Sequence, residues 1–200
     1  MWRWSRIAST TLRSATLRSA TLLAATLLAG CRGGDAPKTE PSSAEPASAD
    51  AANELVGYDI RRLRPRNDTP LVAMFDEQFA AARRDGKSVA VLFSAGWCEP
   101  CRDLELELGN FQAQGDIGHM RILELKEEEW DVVTRMNEFN ELRRRWTSAL
   151  NAYPMFFVLD EEGKAIEEMR EAIDRLQGQG IEPTVAQWFR SVRHGGAAAG

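Results

Sequence analysis

The chain has 200 residues, 44% of them hydrophobic, which is enough for one domain core with appendages. Its 25 basic and 30 acidic side chains give a formal net charge of −5. The first 30 residues hold four of the arginines and no acid, so the remainder carries 21 basic against 30 acidic groups, about −9, which argues against a nucleic-acid binder.

The chain opens with Arg3, Arg6, Arg13 and Arg18, followed by an apolar run from Ala20 to Ala29. That run is short for a bilayer span, which takes about 20 apolar residues. Basic start, short apolar stretch and small residues at the end form a secretory signal over residues 1–30. It ends in L-L-A-G-C, Leu27 to Cys31. This resembles the bacterial lipoprotein signal, which implies cleavage before Cys31 and lipidation of that cysteine. Lipidation would account for the odd one of three cysteines. In that resemblance Arg32, standing where an aspartate would favour the inner membrane, points to the outer membrane. Residues 31–66 then read as a lipidated cysteine and a disordered tether rich in Pro, Ser, Ala and Glu. The tether ends in a basic cluster, Arg61, Arg62, Arg64 and Arg66.

Residues 67–194 read as the folded domain. Phe75, Phe79 and Ala82 have helical spacing, and Asp85-Gly86 ends that helix. Ser88–Ser94 (SVAVLFS) is a buried strand. Two cysteines follow at once, in W-C-E-P-C, Trp97 to Cys101. Leu104, Leu108 and Phe111 predict a helix over 101–111, and 120–125 a second strand. Residues 127–150 read as one long helix with Trp130 and Trp146 in the core and Arg143, Arg144 and Arg145 on a solvated face. Met155–Leu159 is a strand, 160–163 a turn and 164–169 its hairpin partner. A closing amphipathic helix over 183–192 buries Trp188 and Phe189, and residues 195–200 form a disordered tail. Strands alternating with helices predict an α/β fold with a central mixed sheet covered by helices on both faces.

W-C-E-P-C after a strand and Y-P-M-F-F-V-L-D-E-E-G-K, Tyr153 to Lys164, together resemble the thioredoxin family. The C-E-P-C tetrapeptide also resembles the tethered reductases of cytochrome c maturation. The resemblance implies a redox disulfide between Cys98 and Cys101, with Cys98 exposed and nucleophilic and Cys101 resolving. It implies that Pro154 is a cis-proline facing the pair, and that Trp97 covers one side of it. The chemistry agrees: a thiolate attacks disulfides, and a helix N-terminus favours a thiolate. Pro100 suits the first turn of that helix, having no N–H to offer. Glu99 opposes the thiolate by like charge and is a candidate proton relay. Many thioredoxins carry a buried aspartate six residues before the first cysteine, and here that place is Leu92. Tyr153 replaces the β-branched residue that often precedes the family's proline.

Three other readings of the pair stay open. A zinc site would need Cys98, Cys101, His119 and His194, whose histidines have no ligand-like spacing. A structural staple gains little from so short a loop. A binding module that no longer turns over, or an oxidase or isomerase, is the alternative to a reductase. The expected partners are protein disulfides, a membrane electron-relay protein as reductant, and the periplasmic face of a bacterial membrane through Cys31. A monomer is expected, with no cofactor, metal or nucleic acid.

Overall fold

The computed structural model describes residues 49–149 and 152–195, with side chains for 51–149 and 152–192. The signal, Cys31, Arg32 and residues 196–200 lie outside the described residues. The described chain begins with a short helix α1 (Ala49–Asn53), then strands β1 (Leu55–Val56) and β2 (Asp59–Arg62). Ordered structure therefore starts well before residue 67. The reading of residues up to 66 as tether is corrected here: β2 is a strand of the main sheet, and Leu63 is buried in the core. Asp59 explains how so polar a strand joins. It accepts from Lys87 Nζ at 2.6 Å, just before the central strand, and from Arg121 Nε at 2.8 Å, on the neighbouring one.

Helix α2 (Leu71–Arg84) buries Leu71, Met74, Phe75 and Ala82, with Arg83 and Arg84 at its negative end. Gly86, at φ 70°, turns the chain into β3 (Ser88–Ser94). Helix α3 (Glu99–Leu108) buries Cys101, Leu104 and Leu108. It stops short of Phe111, which is 70% exposed rather than on the buried face. β4 (Gln112–Ala113) pairs with β1, and α4 (Gln114–Ile117) leads to β5 (Met120–Lys126).

The long helix expected over 127–150 is two helices, α5 (Glu127–Asp131) and α6 (Met136–Arg143). The break falls at Val132-Val133-Thr134, three β-branched residues that lose rotamer freedom in a helix, and Thr134 sits at φ 55°. Trp130 and Trp188 are fully buried and Trp146 packs against the core, as the pattern indicated. Arg144 and Arg145 are exposed, but Arg143 is only 2% exposed, so the solvated-face reading fails for it. β6 (Met155–Leu159) and β7 (Ala165–Glu168) form the hairpin. The expected strand to Met169 gives way to an unforeseen helix α7 (Met169–Gly178), started by a Glu168–Glu171 capping box. The closing helix is α8 (Val185–Gly195).

Among the described residues the main sheet has the order β2-β5-β3-β6-β7. β2, β5 and β3 are parallel, β6 runs antiparallel to β3, and β7 antiparallel to β6. Val89, Val91, Phe93, Leu123 and Leu125 face α2, α5 and α6. Ala90, Leu92, Ile122, Phe156 and Val158 face α3, α7 and α8. This is the expected mixed sheet with helices on both faces, the thioredoxin fold.

Candidate functional site

Strand register gathers the site. Ser94, the last residue of β3, lies opposite Lys126, the last of β5, and Phe93 lies opposite Met155, the first of β6. Three segments therefore meet at one end of the sheet: 95–98 leaving β3, Glu127-Glu128 leaving β5, and Tyr153-Pro154 entering β6. The sequence separates them by tens of residues; the parallel and antiparallel pairings of β3 bring them together.

Cys98 is the N-cap of α3, and Cys101 lies one turn in. Glu99 and Pro100 fill the exposed first positions of the helix. The two cysteines form a disulfide with a Cα–Cα distance of 5.3 Å. The Cys101 N–H donates to Cys98 Sγ at 3.2 Å, so a backbone donor already points at the sulfur where negative charge would develop. Cys98 is 4% exposed, against the expectation of an open nucleophile. The reason is local: it packs with Ala95, Cys101 and Tyr153. The exposed group is its neighbour Trp97, at 63%.

The Tyr153–Pro154 peptide bond is cis, as the resemblance implied. Pro154 is buried, and the Tyr153 ring meets the Trp97 ring edge-on, centroids 5.7 Å apart. Burial pushes the Tyr153 phenol well above its usual range, reinforced by Glu127 and Glu128 and opposed by Arg143. Tyr153 is thus a neutral wall of the site at physiological pH.

Two residues that sequence reasoning left out also belong to the site. Glu127 Oε2 accepts from Trp97 Nε1 at 3.1 Å, and Glu128 Oε2 accepts from the Gly96 N–H at 3.0 Å. Trp97, Glu127, Glu128 and Asp131 line a cleft of about 280 Å³. The available signal was the acidic triplet directly after the strand that runs parallel to the dithiol strand. Elsewhere, the zinc reading loses its ligand set. His119 sits beside Ser88, at the far end of β3, a strand length or roughly 20 Å from the cysteines. The side chain of His194 lies outside the described residues. Among the described residues no three His, Cys, Asp or Glu side chains gather in a way that could hold a metal.

Strand order, a disulfide at the start of the helix after the central strand, and a cis Tyr153–Pro154 bond whose tyrosine packs on that disulfide define a thioredoxin-fold domain with a CxxC pair. Solved structures similar to this chain include a disulphide isomerase from Xylella fastidiosa, 18% identical, with a TM-score of 0.44, covering 66% of this chain and 98% of that one. A poplar thioredoxin h is 21% identical, with a TM-score of 0.37, covering 61% and 92%. A thioredoxin from Nicotiana alata is 19% identical, with a TM-score of 0.37, covering 62% and 91%. No protein-family model matches the sequence, and no curated protein matches it.

Proposed function

We propose that this chain is a membrane-tethered, exported thiol–disulfide oxidoreductase that reduces disulfides in partner proteins. The observation that carries the reading is the Cys98–Cys101 disulfide at the start of α3, packed against the segment that holds cis-Pro154. In the reduced form the Cys98 thiolate attacks one sulfur of the partner disulfide. The leaving sulfur departs as a thiolate and takes a proton. Cys101 then displaces the partner from the mixed disulfide and closes the Cys98–Cys101 bond. Two electrons and two protons pass to the partner, and a membrane dithiol relay returns them to this chain. The Tyr153 ring and the exposed Trp97 ring flank the approach to Cys98.

The test uses the full chain, reduced and freed of reductant. It should reduce the disulfides of insulin, a Cys98→Ser variant should not, and a Cys101→Ser variant should accumulate the mixed disulfide. Retained activity in Cys98→Ser would sink the proposal. Direction is decided by equilibration with glutathione. Thioredoxin-type sites lie near about −270 mV and strong oxidants near about −120 mV. A value at the oxidising end would make this chain an oxidase.

The tether belongs to the same reading. L-L-A-G-C supports lipidation at Cys31, with the domain at the periplasmic face of a bacterial membrane. Several acyl chains anchor firmly where one is marginal. Arg32 favours the outer membrane, while a relay of electrons favours the inner one. Fatty-acid labelling that persists in Cys31→Ser would refute the anchor, and fractionation of the labelled chain decides between the membranes.

A further inference from the structure

We propose that Glu127 and Glu128 are positioning residues for the dithiol, holding the Gly96–Trp97 segment so that the indole stands against Tyr153 beside Cys98. This rests on the oxidoreductase reading and names how its approach surface is fixed.

The argument starts from register. β3 and β5 end level with each other at Ser94 and Lys126, so the residues just beyond them leave the sheet side by side. On β5 those residues are Glu127 and Glu128, the first turn of α5. On β3 they are Ala95, Gly96 and Trp97, which form a turn closed by the Cys98 N–H donating to Ala95 O at 3.1 Å. Both carboxylates bond across this gap, one to the Gly96 amide and one to the Trp97 indole N–H. Arg102 secures the same segment from α3, donating from Nη1 to Gly96 O at 3.2 Å. A Cβ at position 96 would lie 3.1 Å from Glu128 Oε1, a tight contact, so glycine leaves room for the close approach.

Trp97 needs such a hold. A side chain this exposed has little packing to fix it, and its described contacts are the Tyr153 ring and the carboxylate of Glu127. It immediately precedes the nucleophile, so its direction sets the wall along which a partner disulfide approaches. Misplacement by about 1 Å can cost up to about a hundredfold in a reaction that depends on alignment.

Charge and position make opposite predictions, which allows them to be separated. Two carboxylates near Cys98 disfavour its thiolate, so removing their charge alone should speed attack. Removing the hydrogen-bond acceptors should slow it. The Gln pair, Glu127→Gln with Glu128→Gln, removes charge but keeps a carbonyl acceptor at each place. The Ala pair removes both. In the full chain, two-dimensional NMR of the Trp97 indole N–H and Gly96 amide reads the contact without reference to activity. Insulin reduction, resolved into kcat and KM, reads its consequence. The expected result is that both resonances move in the Ala pair and stay near their original positions in the Gln pair. kcat/KM should fall roughly tenfold in the Ala pair and match or exceed wild type in the Gln pair. Glu127→Ala alone should move the indole resonance, and it serves if the double variant unfolds. Unmoved resonances, or equal rates in the Ala and Gln pairs, would overturn the proposal. Failure of the oxidoreductase reading looks different: Cys98→Ser would keep its activity while the resonances still report the contact.

Discussion

Asp59 is the anchor by which the polar strand β2 joins the sheet, and Asp59→Asn tests that anchor. The carboxylate accepts from Lys87 and Arg121 and pairs with Arg61 Nε at 3.1 Å. Breaking a buried ion pair by removing one partner costs about 3–5 kcal/mol. The cost here is smaller, because Arg121 keeps Asp85 at 2.9 Å, Lys87 is partly exposed, and asparagine retains a neutral acceptor. Two ion–ion hydrogen bonds becoming ion–neutral ones leaves a loss of about 2 kcal/mol. At about 2–4 °C per kcal/mol for a chain of this size, the melting temperature should drop by about 4–8 °C. The pH dependence has a definite sign. Burial alone would raise the Asp59 pKa, but hydrogen bonds from Lys87 and Arg121, with their charges, hold it below its ordinary 3.8. A depressed folded-state pKa stabilises fully above that ordinary value and is lost as pH falls through the folded one. Thermal unfolding should therefore show the full gap between wild type and Asp59→Asn near neutral pH, closing below pH ~4. A chain cut before residue 67 should fare worse, since it also loses Leu63 from the core. Asp59→Asn melting within a degree of wild type at pH 7, or a cut chain of unchanged stability, would refute this account of β2.

Glu99→Gln removes a negative charge beside Cys98, so the pH midpoint for alkylation of the reduced protein should move down. If Glu99 also receives the Cys101 proton, insulin turnover near neutral pH should fall despite the easier thiolate; no change in midpoint or turnover would make Glu99 a bystander. Arg143→Ala removes a buried guanidinium that donates to Ala149 O, beyond the end of α6, and to Asn140 Oδ1 within it. It should cost about 1–3 kcal/mol in denaturant unfolding, whereas exposed Arg144→Ala should stay within about 0.5 kcal/mol. Equal costs for the two would contradict the burial of Arg143.

The core strands were legible because they are short apolar runs with both faces buried. SVAVLFS and MFFVL have few other uses. The cysteine pair and Pro154 were legible because they are local motifs. What escaped depends on neighbours that a single sequence does not display. β2 is an edge strand whose residues are mostly exposed, and it is held by long-range ion pairs rather than an apolar pattern. α7 buries only Ala172 and Leu176, too thin a stripe to stand out beside the preceding hairpin. The break in the 127–150 helix was present in Val132-Val133-Thr134, but surrounding helical spacing outweighed it. Glu127 and Glu128 looked like ordinary acids at a helix start, and only the Ser94–Lys126 register reveals what they face.

That register also bears on where the Cys101 proton goes. Leu92 is 1% exposed and packs in the apolar layer beneath α3 with Leu104 and Leu108. Its partner across the β3–β5 pairing is Glu124, which is buried and, two residues after Ile122, shares the α3 face of the sheet. A carboxylate thus exists one strand away from the place where the family often has one. Yet Glu124 Oε2 accepts from Arg62 Nε at 2.8 Å, and Arg62 stands on β2, on the side of β5 away from β3. Burial would lower the Arg62 pKa, but its hydrogen bond and charge pairing with Glu124 hold it above its ordinary value. Glu124 is thus the closest counter-ion of that partly buried guanidinium. The buried carboxylate on this face is committed to holding the edge strand. On the proposed oxidoreductase reading, Glu99 at the exposed start of α3 and water are the candidate acceptors of the Cys101 proton, and Glu99→Gln distinguishes them.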